Sequence, residues 1–248
     1  MRIALLSYRS KPHCGGQGVY VRHLSRELAL LGHRVEVFSG QPYPVLDQAA
    51  LDAGVTLTEV PSLDLYGEPE PFRTPRVSEY RDWRDVLEVV MMWTAAFGEP
   101  LTFSLRAARL LKGRRADFDV VHDNQCLGYG LLSIKRRGFP LVATIHHPIT
   151  QDRTLAVRAA KGLKKISAWR WHSFLAMQGR VARRLPSLLT VSKTSEDDIR
   201  KAFGVRENRL VTIPLGVDVD LFTPGTDTVP GRIVCVASAD APLKGVSF

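Results

Sequence analysis

Cysteine is scarce in this 248-residue chain: Cys14, Cys126 and Cys235 are odd in number and far apart. That pattern excludes a disulfide framework and a cysteine-built zinc site, and it points to a reducing, cytoplasmic setting. No apolar run approaches the roughly 18–20 residues of a membrane-spanning helix. The N-terminal run Met1–Tyr8 turns polar too soon for the apolar region of a secretory leader and reads instead as a first buried strand. A GxxxxGK[ST] phosphate loop, a GxSxG nucleophile elbow and an HExxH zinc pair are also missing. The chemistries those motifs serve therefore have no support here.

What is present is a chain with 45% hydrophobic residues, enough to bury a substantial core. Short apolar runs alternate with helical periodicity. Strands are expected at Arg2–Tyr8, Arg34–Ser39, Val55–Val60, Asp119–His122, Leu141–Ile145, Leu188–Val191 and Leu210–Ile213. Helices are expected near 19–31, 80–97, 100–112, 127–136 and 195–203, and Pro61–Pro75, with four prolines, reads as an irregular surface excursion. The alternation predicts an α/β fold, a Rossmann-like parallel sheet with helices on both faces. Residues 223–231 have the composition of a linker, and Arg232–Ala237 reads as a new buried strand. The organisation expected is thus an N-terminal domain over 1–224, with a linker and the start of a second domain over 225–248.

The net charge of +9 is concentrated. Between Thr150 and Arg184 nine Lys or Arg face one acid, Asp152, so this stretch alone carries +8. The same stretch has a helical apolar stripe: Leu163, Ile166, Trp169, Phe174, Met177 and Val181. Such a surface either meets an anionic partner or is a solvated helix face whose stripe packs on the sheet. It holds no organised DNA- or RNA-recognition motif, so no nucleic-acid partner is expected.

In parallel sheets ligands bind beyond the carboxyl ends of the strands, so the residues just after each strand are the site candidates. After strand one comes Gly15-Gly16-Gln17-Gly18, leading into a helix. Such a turn either lets backbone N–H groups approach an anion at a helix N-terminus or serves tight-turn geometry alone. After the fourth strand come Asp123, Asn124 and Gln125; Asp123 and Asn124 either line a pocket rim or cap the helix that begins near Cys126. After the fifth come His146 and His147, either site residues or one core and one exposed histidine. The Gly-Gly-x-Gly spacing is not G-x-G-x-x-G, and the second strand ends Phe38-Ser39-Gly40 with no acid for a ribose hydroxyl. A nicotinamide-dependent reductase is therefore disfavoured.

Taken in order, these landmarks resemble a known family. The set comprises Gly15-Gly16, the Asp119–His122 strand before its polar turn, Thr144-Ile145-His146 and Thr190-Val191-Ser192 before an acidic helix. It continues through Ile213–Asp218 and Phe222–Pro224 to Ser238–Gly245. It is similar to the N-terminal half, plus the first loop of the second domain, of a family-4 glycosyltransferase of the GT-B fold. The resemblance implies transfer of a sugar from a nucleotide-sugar donor, with retention of configuration, to a sugar, lipid-linked or small-molecule acceptor. It implies no metal or other cofactor. Under it Gly15 and Gly16 meet the donor diphosphate, His146 faces the transferred sugar as the catalytic candidate, and Lys244 lies on the leaving diphosphate. Asp123, Asn124 and His147 become the acceptor or pocket rim. Arg158, Lys161, Lys164, Lys165 and Arg170 become contacts to an anionic membrane surface on the cytoplasmic side.

Two departures from the family pattern bear on activity. Ser238, Ala239 and Asp240 stand where the family often has an arginine that works with its lysine. The family's E-x7-E segment has no counterpart in this chain, so residues 1–248 are expected not to be a competent enzyme by themselves. The alternative in a different class is a non-catalytic module that binds an anionic ligand or partner.

Overall fold

A computed structural model of the chain describes residues 1–11, 16–225 and 229–234. Seven parallel strands form one sheet: β1 (Arg2–Ser7), β2 (Arg34–Ser39), β3 (Thr56–Glu59), β4 (Val120–Asn124), β5 (Leu141–Thr144), β6 (Ser187–Thr190) and β7 (Leu210–Thr212). Their spatial order is β3-β2-β1-β4-β5-β6-β7. Nine α-helices are described: α1 (Gly16–Leu30), α2 (Gln48–Asp52), α3 (Trp83–Trp93), α4 (Glu99–Leu110), α5 (Gly130–Arg136), α6 (Thr150–Ala159), α7 (Lys164–Trp171), α8 (Phe174–Ala182) and α9 (Lys193–Phe203). The Rossmann-like architecture read from the sequence is the one observed. No described helix is long and apolar enough to cross a membrane.

The period-two character of β1 shows how the sheet is covered on both sides. Ile3 and Leu5 pack with Val21 of α1, Val35, Val37 and Ala50 of α2 on one face. Ala4 and Leu6 face the other way, into a larger cluster with Phe103 and Ala107 of α4, Leu131 of α5 and Val181 of α8. Successive strand residues point to opposite faces, so a strand covered twice must be apolar throughout. Burying one such leucine contributes about 1.5–3 kcal/mol.

From β1 the chain winds outward to β2 and β3, then returns to place β4 on the opposite side of β1. In such sheets a crevice opens beyond the carboxyl ends of the two strands where the winding reverses. Here those strands are β1 and β4, and the crevice is bounded by the start of α1 and the end of β4.

Some elements differ from the sequence reading. Helix α1 begins at Gly16, three residues earlier than the apolar period indicated. Helix α2 has five residues, capped by the Asp47 carboxylate accepting from Ala50 N–H, and carries too little periodicity to be read. The basic stretch is three helices rather than one. Gly162, at φ +54°, breaks it between α6 and α7, and a turn at His172-Ser173 breaks it again. The expected single stripe is therefore split. Phe174, Met177 and Val181 are buried, whereas Leu163, Ile166 and Trp169 are exposed by 82%, 62% and 59%. The new buried strand expected at Arg232–Ala237 is not seen in its described part. Arg232–Val234 are exposed without strand structure, having no described sheet to join, and residues 235–237 lie outside the described residues.

Helices α3 and α4 are joined by a buried ion network. Arg106 of α4 donates to Asp85 Oδ1 at 2.7 Å and to Glu88 Oε2 at 2.5 Å, and both carboxylates are essentially inaccessible. Removing one partner of a buried ion set strands the others without solvation. Arg106→Leu should therefore cost about 3–5 kcal/mol in urea unfolding. A loss below about 1 kcal/mol would show that the network adds little to the packing of these helices.

Candidate functional site

The crevice beyond β1 and β4 is organised around Asn124, the last residue of β4. Its Oδ1 lies 2.8 Å from His146 Nε2, just past β5. Its Nδ2 donates to the Gln17 carbonyl, in the first turn of α1, at 3.4 Å. An amide that donates to a carbonyl on one side must present its oxygen to the other, so His146 Nε2 carries the proton and donates it. The Nδ1 lone pair of His146 then has no described partner. The His146 backbone N–H donates to Gln125 Oε1 at 2.7 Å, and Gln125 Nε2 donates to the His147 carbonyl at 2.9 Å. Gln125 in turn is held from α8, where Gln178 Nε2 donates to its carbonyl at 3.1 Å.

Tyr20, one helical turn beyond Gly16, closes the other side. Its ring meets the His146 ring edge-on at 4.7 Å between centroids, and its hydroxyl lies 3.2 Å from Thr144 Oγ1. Thr144 Oγ1 also lies 2.7 Å from His122 Nε2. Gln125, which follows the fourth strand, was among the polar groups expected on this rim; Tyr20, Thr144 and Gln178 were not among the site residues expected from sequence. The i, i+4 relation of Gly16 and Tyr20 on one helix face is the sequence signal by which the first of them could have been found.

The two histidines are kept neutral. Burial lowers His146 to about 4, with His147 adding to the effect, and burial beside His146 lowers His122 to about 4. An imidazole in a poorly solvated site cannot afford the charge of its protonated form. At neutral pH His146 is thus a hydrogen-bonding group and not a cation.

Of the expected site residues, the structure brings Gly16, Asn124 and His146 together. Asp123 is fully buried below the rim, where its Oδ2 accepts from Leu127 N–H at 2.9 Å. Helix α5 begins only at Gly130, so Asp123 ties down the turn before that helix and is not its N-cap. Burial raises the Asp123 carboxyl to about 7. His147 is exposed at the rim. Gly15 and Lys244 lie outside the described residues. Arg158, Lys161, Lys164, Lys165 and Arg170 all lie on exposed surface of α6, α7 and their junction, away from the Asn124 cluster in the hydrogen-bond network; Arg170 donates to the Thr94 carbonyl at 2.7 Å.

Gly16 and Gly18 differ in what their missing side chains spare. A Cβ on Gly18 would lie 2.2 Å from the Lys11 carbonyl oxygen, so packing alone demands glycine there. Among the described residues, a Cβ on Gly16 would meet nothing within 4 Å, and its φ is not in the left-handed region. The described residues therefore give no reason for glycine at position 16. Open space in front of a helix N-terminus suits a ligand oxygen that approaches the backbone closely. Among the described residues, no three of His, Cys, Asp and Glu converge in the manner of metal ligands.

A second feature of the same rim is aromatic. Tyr66 and Phe72, from the excursion after β3, pack on Trp171 at the end of α7 with centroids 5.4 and 6.0 Å away. Phe97 lies beneath them at 5.1 Å from Tyr66 and 5.2 Å from Trp171, while Phe72 is 57% exposed.

The profile of Glycosyltransferase Family 4 matches residues 14–221. The chain is 64% identical over 247 residues to the MMP alpha-(1->4)-mannosyltransferase of Mycolicibacterium hassiacum, covering 100% of this chain and 59% of that protein. It is 29% identical over 239 residues to the D-inositol 3-phosphate glycosyltransferase of Xylanimonas cellulosilytica, covering 90% of this chain and 49% of that protein. The chain thus spans between about half and three-fifths of the curated relatives it matches. In fold it is similar to part of Anabaena Alr3699/HepE, solved in complex with UDP, at a TM-score of 0.50 and 14% identity over 91% of this chain and 47% of that one.

The neutral histidines make a pH prediction. Unfolded histidine takes up its proton near 6.5, but His122 in the fold resists protonation until about 4. The unfolded state therefore binds more protons between these values, and this contribution to stability is lost as pH falls through the window. Asp123, raised to about 7, titrates with the opposite sign across much of the same range, so the effect is read as a difference between variants. Relative to wild type, His122→Gln should lose about 1–3 kcal/mol less stability between pH 7 and pH 4 in urea unfolding. Parallel pH profiles for the two proteins would remove the assignment.

Proposed function

The chain belongs to glycosyltransferase family 4, and from that premise we propose that it forms the acceptor-side domain of a mannosyltransferase. The enzyme takes mannose from a nucleotide-sugar and passes it, with retention of configuration, to a carbohydrate acceptor. The observation that carries this reading is the Asn124 bridge, which holds the neutral His146 beside the open first turn of α1. Mannose is the narrower choice because of the 64% identity to a protein named as a mannosyltransferase.

In this reading the residues divide the task by charge. Departure of a nucleoside diphosphate builds negative charge on the phosphate oxygens. The N–H groups at Gly16, oriented along α1, meet part of that charge without a proton donor. Gly15 and Lys244 are assigned to the same anion on the family pattern. His146, its Nε2–H committed to Asn124, offers the Nδ1 lone pair to a hydroxyl of the transferred sugar and so fixes its orientation. His147, exposed on the same rim, is placed towards the acceptor, and the shelf of Tyr66, Phe72 and Trp171 offers apolar area to sugar C–H faces. No metal or cofactor is assigned to the reaction.

The basic stretch has its own reading, favoured by the exposure of Leu163, Ile166 and Trp169 beside Lys161, Lys164 and Lys165. We infer that α7 rests on an anionic membrane surface, its apolar residues at the headgroup boundary and its cations, with Arg158 and Arg170, among the lipid phosphates.

Two experiments test these assignments. In the protein carrying this domain, release of nucleoside diphosphate from a panel of nucleotide-sugars should be greatest with the mannose donor. His146→Ala should lower kcat about 100-fold or more, and Gly16→Ala should lower kcat/KM for the donor about 10-fold with no change in Tm. Full activity in His146→Ala would refute its role, and a Tm drop in Gly16→Ala would show that packing demands that glycine after all. For the membrane, the protein should sediment with phosphatidylglycerol vesicles but not with pure phosphatidylcholine vesicles, and Trp169 fluorescence should shift to the blue. About 0.5 M salt should release it, since exposed charges are then screened within a few ångströms. Equal indifference to both vesicle types would end the membrane reading.

A further inference from the structure

A cluster of positive charge without carboxylate partners among the described residues lies away from the crevice. Lys135, Arg136, Arg180, Arg184 and Arg209 surround an open cavity of about 730 Å³ walled by Tyr129 and Leu132. Among the described residues none of these five cations has a carboxylate within ion-pair distance. The contrast with other arginines of the same chain is direct: Arg2 is paired with Asp119, Arg106 with Asp85, Arg114 with Glu36 and Arg200 with Glu207.

Neutral acceptors hold these heads in place without discharging them. Arg180 Nη1 donates to the Tyr129 hydroxyl at 3.0 Å, Arg184 Nη1 to the Arg180 carbonyl at 3.1 Å, and Arg209 Nη1 to the Arg183 carbonyl at 3.1 Å. Lys135 Nζ donates to the Arg184 carbonyl. The cluster is tolerated because it gathers at two helix ends. Lys135 and Arg136 occupy the last turn of α5, Arg180 the last turn of α8, and Arg184 follows it. Each helix C-terminus carries roughly half a negative charge, so two of them offset about one of the five positive units. The remainder is left for an external anion.

The cavity is separate from the crevice by topology. Helix α5 runs back from the end of β4 to the start of β5, Arg184 precedes the start of β6, and Arg209 precedes β7. These cations therefore gather toward the strand starts, whereas His146 follows the end of β5. The four residues of β5 set a separation of about 13 Å along the sheet.

We propose that this cavity binds a compact polyanion carrying two or more phosphate groups, at a site distinct from the donor crevice. Four of the flanking cations are arginines, whose planar forks suit bidentate contacts to phosphate oxygens. The volume is that of a small-molecule pocket, and the concave wall formed by α5, α8 and Arg209 favours a compact ligand over an extended polymer.

The test is titration calorimetry of the protein with inorganic tripolyphosphate, for wild type and for the triple variant Lys135→Gln/Arg180→Gln/Arg184→Gln. All three side chains are exposed, so the variant should keep the wild-type Tm. Wild type should bind with a dissociation constant near or below about 100 μM, and the triple variant at least about tenfold more weakly, as expected for lost charge-assisted bonds. Gly16→Ala, a change in the donor crevice, should leave the affinity unchanged. Binding that survives the triple substitution would overturn the proposal, and so would the absence of tripolyphosphate binding. Binding only to phosphatidylglycerol vesicles, lost in the triple variant, would overturn it too and make the cluster a membrane contact. None of these readouts depends on sugar transfer, so failure here leaves the glycosyltransferase reading standing.

Discussion

Asn124 couples the two sides of the crevice that the strand order creates. The winding of the sheet reverses between β1 and β4, so the loop after β1 and the end of β4 must leave each other at the carboxyl edge. Without a tie across that gap, the first turn of α1 and the residues after β5 would be set independently. The side-chain amide supplies the tie with one donor and one acceptor, one on Gln17 and one on His146. Its own orientation is fixed by the polarity of both partners, because a flipped amide would face a carbonyl with its oxygen. The histidine tautomer follows from the amide, and the free Nδ1 follows from the tautomer. A single short polar residue at a topological switch thus determines the protonation pattern of the site.

The electrostatics of this rim share one cause. Water is largely excluded beneath the strand ends, so each titratable group is moved towards its neutral form: His122 and His146 down, Asp123 up. Glu99 behaves in the same way; burial pushes it up to about 8 although Arg9 lies 3.3 Å away. A site that is neutral when empty suits a reaction in which charge arrives with the substrate and grows on it. Preorganised dipoles then act on that charge without competition from resident ions. The exposed cation clusters described above lie elsewhere, around α7 and around the ends of α5 and α8.

The fold was legible in the sequence wherever an element is buried on both faces or strongly amphipathic. All seven strands were recognised within one or two residues. The inner strand β1, covered on both faces, has to be apolar throughout, while the edge strands β3 and β7 are only partly buried and were found by their short β-branched runs. The site was legible only in part. Gly16, Asn124 and His146 stand immediately after strands or at strand ends and could be collected by topology. Gln125, next after Asn124, was collected in the same way. Thr144 and Gln178 could not be, since each reaches the site through a side chain whose direction depends on packing between distant elements; Tyr20 was within reach only through its i, i+4 relation to Gly16. Asp123 shows the opposite error of proximity: it neighbours Asn124 in the chain, but strand alternation turns it into the interior. The basic stretch misled for a physical reason as well. A 3.6-residue period survives on paper through Gly162 and His172-Ser173, while the real helix axis changes direction at both, so three of the six stripe residues leave the core.

That split has consequences for how the positive charge is used. Had residues 163–181 formed one helix on the sheet, the cations would have projected as a uniform solvated face. The breaks instead separate two environments. In α7 the lysines flank exposed Leu163, Ile166 and Trp169, a mixture suited to an interface that is both apolar and anionic. On the outer side of α8 the arginines converge with Lys135, Arg136 and Arg209 around a concavity whose apolar wall is formed by Tyr129 and Leu132. Apolar residues beside cations favour insertion at a lipid surface, whereas cations around a hollow favour a ligand that can be enclosed. The same local excess of charge is therefore divided by helix geometry into two surfaces with different chemical preferences, and neither coincides with the neutral crevice at Asn124.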